Sequence, residues 1–482
     1  MGLGSALRFI FEPLFSRDGA GKVRRVGSFR GRPVRIRIDD MRHHVYIVGG
    51  SGTGKSRLIR KLVEQDIAAG HGMCLVDPHG DLCDSVVSYI EALPSEHPAK
   101  RRSVLVDPTA QAWSIGFNPL EISSEEDRYP AVLELLNVFK KLWGDSWGAR
   151  MEDILRNSFV TLAESGLTLL ELPKLLTDAA YRSQIVADLE AVEARRYWID
   201  RYEPLSARTK AEWIESSLNK VSALISDPWM RDMLGQRQST FDVRKWMDKR
   251  SIVLINLAKG RLKQNSEVIG ALLVSKIQET ALSRVDVPEG QRRPFRLYVD
   301  EFQHYATRSF EEILSEARKY GLPLVMAHQD LGQVDRRLLA SVLANCQIQV
   351  YFRVSREDAE KLARQAFRAT GKDIKFQLEK EGWLTSEPRM NPVFIPVNEE
   401  MESYVNGLLD LGHREALLNV RGGGRPLPFR TAEAPDRIPS TSVNRFRSQL
   451  VSRIARPRAT VRKEIAQRES AVGEEQPAGF WE

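Results

Sequence analysis

The sequence predicts an α/β fold, a mainly parallel sheet with an all-α domain inserted into it. Three observations carry that prediction. Short apolar, β-branched runs alternate with helical patterns over residues 41–122 and again over 241–431, as in strand–helix–strand units. The stretch Gly49-Gly50-Ser51-Gly52-Thr53-Gly54-Lys55-Ser56 falls between one such run and one such helical pattern. From about Ser123 to Gln238 the helical periodicity continues while the strand signal stops.

Residues 1–40 read as a basic arm and hairpin. Leu3 to Phe15 is apolar and aromatic, too short to span a bilayer and without a signal-peptide cleavage site. It suits packing on its own domain, on a neighbouring subunit or on a membrane surface. The basic residues Arg17, Lys22, Arg24, Arg25, Arg30, Arg32, Arg35, Arg37 and Arg42 follow. Among them Val34, Ile36 and Ile38 alternate with Arg35 and Arg37, the period of a hairpin strand.

Residues 41–122 hold the first part of the core. Val45-Tyr46-Ile47-Val48 reads as a buried strand. The Gly-rich stretch after it matches G-x-x-x-x-G-K-[ST], the phosphate-binding P-loop. Glycines let successive backbone N–H groups turn inward around phosphate oxygens. Lys55 is expected to reach the β- and γ-phosphates, and the Ser56 hydroxyl to ligate Mg²⁺. Leu58, Ile59, Leu62, Val63 and Ile67 then recur at helical spacing, so a positive helix end faces the anion. The nucleotide-binding set runs Gly49, Gly50, Ser51, Gly52, Thr53, Gly54, Lys55, Ser56 and Arg57. Further buried strands are expected at Met73–Asp77 and Ser103–Asp107.

Residues 123–240 are expected to form the helical insertion. Helices are anticipated at Tyr129–Leu142, Met151–Glu164 and Trp213–Ile225, and Trp143, Trp147, Trp198, Trp213 and Trp229 are read as core packing. Residues 241–431 resume the core, with strands at Ser251–Leu257, Phe295–Val299, Leu322–Ala327 and Ile348–Arg353 and a helix at about Ser266–Arg284. Lys259, Arg261 and Lys263 lie on a loop between strand and helix; it is either a phosphate contact or solvated. Residues 432–482 are Pro-, Arg- and Ser-rich, basic and expected to be partly disordered and loosely tethered, with one helix near Val461–Glu469.

Two further motifs carry chemistry. Leu297-Tyr298-Val299-Asp300-Glu301 is a buried strand ending in two carboxylates. Opposite a P-loop, Asp300 is expected to hold Mg²⁺ and Glu301 to orient and deprotonate the attacking water. In Glu316-Ala317-Arg318-Lys319-Tyr320-Gly321 a helix ends at Gly321, and the strand after it carries His328 and Gln329. Gln329 at a strand tip suits a residue that senses the γ-phosphate or positions water. Arg318 has two readings: an arginine finger for a neighbour's site, or favourable charge at a helix end.

The bulk numbers bound the class. The 482 residues suffice for more than one domain. No apolar run approaches the ~18 residues of a membrane span. Cys74, Cys83 and Cys346 follow no metal or disulfide spacing, which fits a reducing cytoplasm. A net charge of +7 suits a polyanionic partner. The C-terminal basic residues Arg437, Arg445, Arg447, Arg453, Arg456, Arg458, Arg462, Lys463 and Arg468 are, like the N-terminal ones, either a phosphate-facing surface or solvated.

Taken in order, the P-loop, Asp77-Pro78-His79-Gly80-Asp81, Gly116-Phe117-Asn118-Pro119-Leu120, Val299-Asp300-Glu301-Phe302-Gln303, Ala317-Arg318-Lys319-Tyr320-Gly321, Ala327-His328-Gln329, Ala344-Asn345-Cys346 and Phe352-Arg353-Val354 resemble the type IV secretion coupling proteins of TraG/TraD type. These belong with the HerA/FtsK group of motor ATPases. The resemblance covers roughly residues 40 to 430. It implies a RecA-like core with an all-α insertion, ring hexamers, ATP at subunit interfaces and DNA in the central channel. It also implies that Lys55, Glu301, Arg318 and Gln329 are catalytic and that Ser56 and Asp300 hold the metal, and it favours Arg318 as a finger acting in trans.

The sequence departs from the resemblance before the P-loop strand, where about forty residues stand and neither transmembrane helices nor an N-terminal β-barrel is expected. The expected protein is cytoplasmic and reaches a membrane only through a partner. Two functions follow: a hexameric, ATP-hydrolysing DNA translocase, or an ATP-gated ring that recruits a nuclease or relaxase without processive movement. A secretion-channel partner suits the first, and the terminal Gly479-Phe480-Trp481-Glu482 would suit a docking peptide in the second.

Overall fold

The structure is a computed structural model that describes residues 22–122, 124–307, 309–316, 318–367, 374–379, 389–433 and 440–471. Leu3–Phe15 and Gly479–Glu482 lie outside the described residues. The strands in chain order are β1 Val23–Phe29, β2 Arg32–Arg37, β3 Val45–Val48, β4 Gly72–Asp77, β5 Ser103–Val106, β6 Trp113–Ser114, β7 Ile252–Asn256, β8 Phe295–Val299, β9 Leu324–His328, β10 Ile348–Tyr351, β11 Ile374–Glu379, β12 Arg389–Phe394, β13 Glu415–Val420, β14 Leu427–Thr431 and β15 Arg456–Pro457. The chain divides into two compact units, residues 1–65 with 323–435 and residues 66–322 with 436–482. This division differs from the linear segments expected from the sequence, because strands distant in the chain pair with one another.

In the first unit β3 lies between β10 and β9, parallel to both, with Val45 opposite Ile348 and Val325. Every residue of these three strands is buried, as parallel strands covered on both faces require. The sheet continues antiparallel from β10 through β13 and β14 to β1 and β2. The expected hairpin is present, with Arg25 opposite Arg35 and a register shift between Arg25 and Gly27. Among its basic residues Arg24 is buried, Arg35 is half-buried, and Lys22, Arg25, Arg30, Arg32, Arg37 and Arg42 are exposed.

In the second unit β8, β4, β7 and β5 form a parallel sheet in that order. Between β6 and β7 the described residues are helical or irregular, so the expected insertion is present. Its core packs Phe139 edge-on against Phe159 at 5.4 Å, and Trp198 donates its indole N–H to the Thr161 hydroxyl at 2.8 Å. Of the five tryptophans read as core, Trp198 is fully buried while Trp143, Trp147, Trp213 and Trp229 are half-buried. Trp213 and Trp229 lie beneath the guanidinium groups of Arg150 and Arg458 instead, at 4.9 Å and 3.7 Å.

The expectation of a loosely tethered C-terminus is corrected over residues 440–471. They form the helices Thr441–Ser452 and Arg458–Ala471, and Leu450 and Val461 are fully buried in the second unit. The basic residues there are mostly engaged. Arg447 pairs with Asp84 and Asp107, Arg453 donates to the Ser103 carbonyl at 2.7 Å, Arg462 reaches Asp232 at 3.0 Å, and Arg468 reaches Glu171 at 2.8 Å. Arginine forks matched to carboxylates are how composition this polar still packs. Arg458 is buried and Arg447, Arg456 and Arg468 are half-buried, whereas Arg445, Arg453, Arg462 and Lys463 are exposed.

Candidate active site

The P-loop belongs to the first unit. β3 ends at Val48 and the helix Lys55–Ala68 begins at the motif lysine. Gly52 and Gly54 have φ of 72° and 119°, values that a side chain tolerates poorly. At Gly49 a Cβ would lie 2.4 Å from the Cβ of Phe352, so only glycine fits. The Lys55 ammonium is buried and donates to the carbonyls of Gly49 at 2.5 Å and Gly50 at 3.0 Å. Thr53 donates its hydroxyl to the Gly50 carbonyl at 2.7 Å. Ser51, Gly52 and Ser56 are exposed and Arg57 is half-buried.

Neighbouring strand ends hold the loop. Gly50 N–H donates to the Arg353 carbonyl at 2.8 Å, and Gly49 N–H approaches the His328 carbonyl at 3.4 Å. Arg414, itself at φ 67°, donates its N–H to the Thr53 carbonyl at 2.9 Å, and the His413 ring nitrogen Nδ1 donates to the Gly52 carbonyl at 2.9 Å. Sequence reasoning missed His413 and Arg414, which carry no motif. Gln329 follows β9 and is half-buried. Through His328 its strand end and the P-loop come together. The His328 Nδ1 faces the Asp330 carbonyl at 3.0 Å, and Nε2 faces the Tyr46 hydroxyl at 2.5 Å. A carbonyl only accepts, so Nδ1 carries the proton and Nε2 accepts from Tyr46.

The acidic pair belongs to the second unit. β8 is wholly buried, and Asp300 N–H continues its ladder to the Val76 carbonyl at 3.1 Å. Asp300 and Glu301 are both buried. Glu301 adopts φ 50° and ψ 50°, a left-handed conformation uncommon for residues with a side chain and concentrated at functional sites. Its Oε2 accepts from the Gln303 amide at 2.9 Å. The Gln303 carbonyl accepts from the Lys141 ammonium at 3.0 Å. Burial lowers the Lys141 pKa to about 7, against the opposing pull of Glu267. Glu267 is held down at about 2, first by its hydrogen bond with His304 and then by Lys259. No motif marks Lys141, Glu267 or His304.

Lys259, one of the three basic residues after β7, takes part in this cluster. It lies in a short helix, Lys259–Leu262, and its ammonium pairs with Glu267 at 3.1 Å. Arg261 and Lys263 are exposed.

Arg318 is exposed. The helix before it, Ser309–Glu316, ends earlier than the sequence suggests, and the turn Arg318–Gly321 closes with Gly321 N–H on the Arg318 carbonyl at 3.1 Å. The Gly321 carbonyl accepts from Phe295 N–H at 2.8 Å. The turn is therefore fastened to the start of β8, whereas Asp300 follows its end. A strand of five residues spans about 16 Å. Two further motifs are structural here. The Asp77 carboxylate accepts from His79 and Cys83 N–H at 3.0 and 2.8 Å, and the Asn118 amide clamps the carbonyls of Leu167 and Arg237 at 3.1 and 3.0 Å.

No curated protein matches the sequence. Solved structures do resemble the fold. The bacterial conjugative coupling protein TrwBΔN70, unbound, is 17% identical with a TM-score of 0.59, over 89% of this chain and 93% of its own. The plasmid coupling protein TrwB in complex with ADP and Mg²⁺ is 17% identical with a TM-score of 0.54, over 91% and 94%. VirB4 of Thermoanaerobacter pseudethanolicus is 14% identical with a TM-score of 0.51, over 86% and 97%. At such identities the likeness shows a shared fold, the α/β core with its helical insertion. Among the described residues no helix is long and apolar enough to cross a membrane. The model of the type IV secretion-system coupling protein DNA-binding domain matches residues 32–373, well over half of the sequence, and the chain belongs to that family.

Proposed function

We propose that this chain hydrolyses ATP to move DNA, working as a homo-hexameric ring in which each nucleotide is completed by the neighbouring subunit. The observation that carries the ATP reading is the P-loop geometry. The buried Lys55 ammonium is drawn onto the Gly49 and Gly50 carbonyls, at the start of a helix whose first amides are suited to an anion. Phosphate oxygens are stronger partners for an ammonium than carbonyls are.

In this reading Lys55 contacts the β- and γ-phosphates, and Gly49 through Arg57 form the cradle. Mg²⁺, when bound, would offset phosphate charge, with Ser56 and Asp300 supplying protein oxygens. Mg²⁺ carried by phosphates needs only one or two protein ligands, and a hydroxyl and a carboxylate are oxygens of the kind it takes. The TrwB structure in complex with ADP and Mg²⁺ supports a nucleotide bound together with Mg²⁺ here. Glu301 orients the attacking water and takes its proton, and Gln329 reads the γ-phosphate. The turn tied to the far end of β8 supports Arg318 as a residue that serves a neighbour's nucleotide.

The family's DNA-binding description supports DNA as the polymer moved, with the exposed Arg261 and Lys263 as candidate backbone contacts. A relaxase, nuclease or secretion channel is the partner class for delivery from the cytoplasm. Steady-state ATPase assays with and without DNA test the motor. DNA should raise turnover, and rising salt should remove the stimulation steeply. Glu301→Gln should bind ATP yet lose turnover. Wild-type turnover in that variant sinks the role given to Glu301. Turnover indifferent to every form of DNA but raised by a partner protein favours the recruitment ring.

A further inference from the structure

The acidic turn after β8 is fastened to the helical insertion. Lys141 stands in the last turn of the helix Arg128–Leu142 and donates to the Gln303 carbonyl at 3.0 Å. Gln303 donates its side-chain amide to Glu301 Oε2 at 2.9 Å. One residue thus carries the link both ways, through its backbone to the insertion and through its side chain to the carboxylate. A second tie from the same helix runs beside it, where the Thr307 hydroxyl meets Glu134 Oε1 at 3.4 Å. From the other side, the Glu267 carboxylate on the helix Asn265–Leu282 holds His304 Nδ1 at 3.1 Å.

Resting on the reading of Glu301 as the water-orienting group, we propose that Gln303 is a positioning residue that restrains the Glu301 carboxylate, and that Lys141 couples this restraint to the helical insertion. An amide N–H on Oε2 engages an oxygen that the carboxylate would use to accept a proton from water. Glu301 also sits in a left-handed conformation, one that persists only where its surroundings hold it. The turn therefore has a held arrangement, maintained by ties on both sides, and a relaxed one. A shift of the helix Arg128–Leu142, caused by whatever engages the insertion, moves the Gln303 backbone through Lys141 and frees the carboxylate. DNA stimulation of turnover is then, in part, release of this hold.

The test compares steady-state ATP hydrolysis of the full chain, with and without DNA, in Gln303→Leu, Lys141→Met and Lys141→Arg, with thermal melting of each. Gln303→Leu keeps the bulk of the side chain and removes the amide. Its DNA-independent kcat should rise by about tenfold or more, the scale of one charge-assisted hydrogen bond released. Its KM for ATP should stay within about twofold, because nucleotide binding is untouched, and its stimulation by DNA should shrink by the factor that basal kcat gains. Lys141→Met should move the same way, and Lys141→Arg, which keeps a cationic donor, should restore the wild-type ratio. Those shifts are beyond a merely structural role, which would lower kcat together with the melting temperature. An unchanged or lowered basal kcat in folded Gln303→Leu overturns the restraint. Full DNA stimulation in folded Lys141→Met overturns the coupling. A wild-type chain without any ATP hydrolysis refutes the ATPase reading instead, so the two failures are distinct.

Discussion

The Gly321 carbonyl accepts the Phe295 N–H at 2.8 Å, and this bond fixes where Arg318 can act. It ties the Arg318 turn to the first residue of β8, while Asp300 and Glu301 follow the last. Within one strand the two ends lie about 16 Å apart, beyond the reach of a side chain toward its own carboxylates. Arg318→Ala is therefore expected to lose turnover by 10³-fold or more, the usual worth of an arginine finger, with ATP binding retained. The same holds for Lys55→Ala with binding lost. Mixing the two variants should restore part of the activity, since an Arg318→Ala subunit beside a Lys55→Ala subunit makes one complete site. Mixtures as inactive as their parents would mean that Arg318 does not serve a neighbour.

The Tyr46 hydroxyl and His328 Nε2, 2.5 Å apart, brace the strand end that carries Gln329. Both residues are fully buried or nearly so. Tyr46→Phe removes the donor and should cost about 1–3 kcal/mol, the penalty of disrupting a buried hydrogen bond. Urea denaturation checks the stability. The His328 carbonyl faces Gly49 and its ring faces the Asp330 carbonyl, so a fall in kcat larger than the change in KM is expected alongside.

The P-loop unit was legible because its signals are local. A four-residue apolar strand, glycines where φ turns positive and an apolar helical period lie within one stretch of chain. The strand ending in Asp300-Glu301 was legible for the same reason. What failed to show in the sequence is carried by pairs far apart. Lys141 and Gln303 are 162 residues apart, and neither type nor spacing announces the bond. In β14 only Leu427, Phe429 and Thr431 turn inward while Pro428 and Arg430 face out, too short an alternation to stand out. The helix near Val461–Glu469 was legible, but the helix Thr441–Ser452 and the docking of both were hidden by composition, because part of that docking rests on arginines whose carboxylate partners lie elsewhere in the chain. An arginine in a basic run and an arginine bound to Asp232 look alike in a sequence.

Glu267 gives a pH signature. Its hydrogen bond with His304 and the charge of Lys259 hold its pKa at about 2, below its usual 4.5. A depressed carboxylate contributes stability that is fully present above pH 4.5 and is lost as pH falls toward about 2. Glu267→Gln should therefore destabilise the chain at pH 7 by about 1–3 kcal/mol, allowing for partial exposure of the pair. The gap between variant and wild type should narrow below pH 4.5. Denaturation midpoints at pH 7 and pH 4 measure it, and a gap of constant size would show that the ion pair is not its source.

Asp232 is buried and receives Arg458 at 3.5 Å and Arg462 at 3.0 Å. Arg458 also lies 3.7 Å over the Trp229 ring. Breaking a buried pair costs several kcal/mol because it strands a charge. Here Arg462 remains, so Arg458→Ala should cost less, about 2 kcal/mol, part of it from the lost contact with the ring. Arg458→Ala with Arg462→Ala leaves Asp232 without either cation and should exceed the sum of the single changes. Replacing Asp232 by Asn as well should recover part of the loss, since the stranded charge is gone. Equilibrium denaturation of the single, double and triple variants measures these terms. Additive losses with no recovery would place the stabilisation in side-chain packing rather than in the charges that fasten the C-terminal helix.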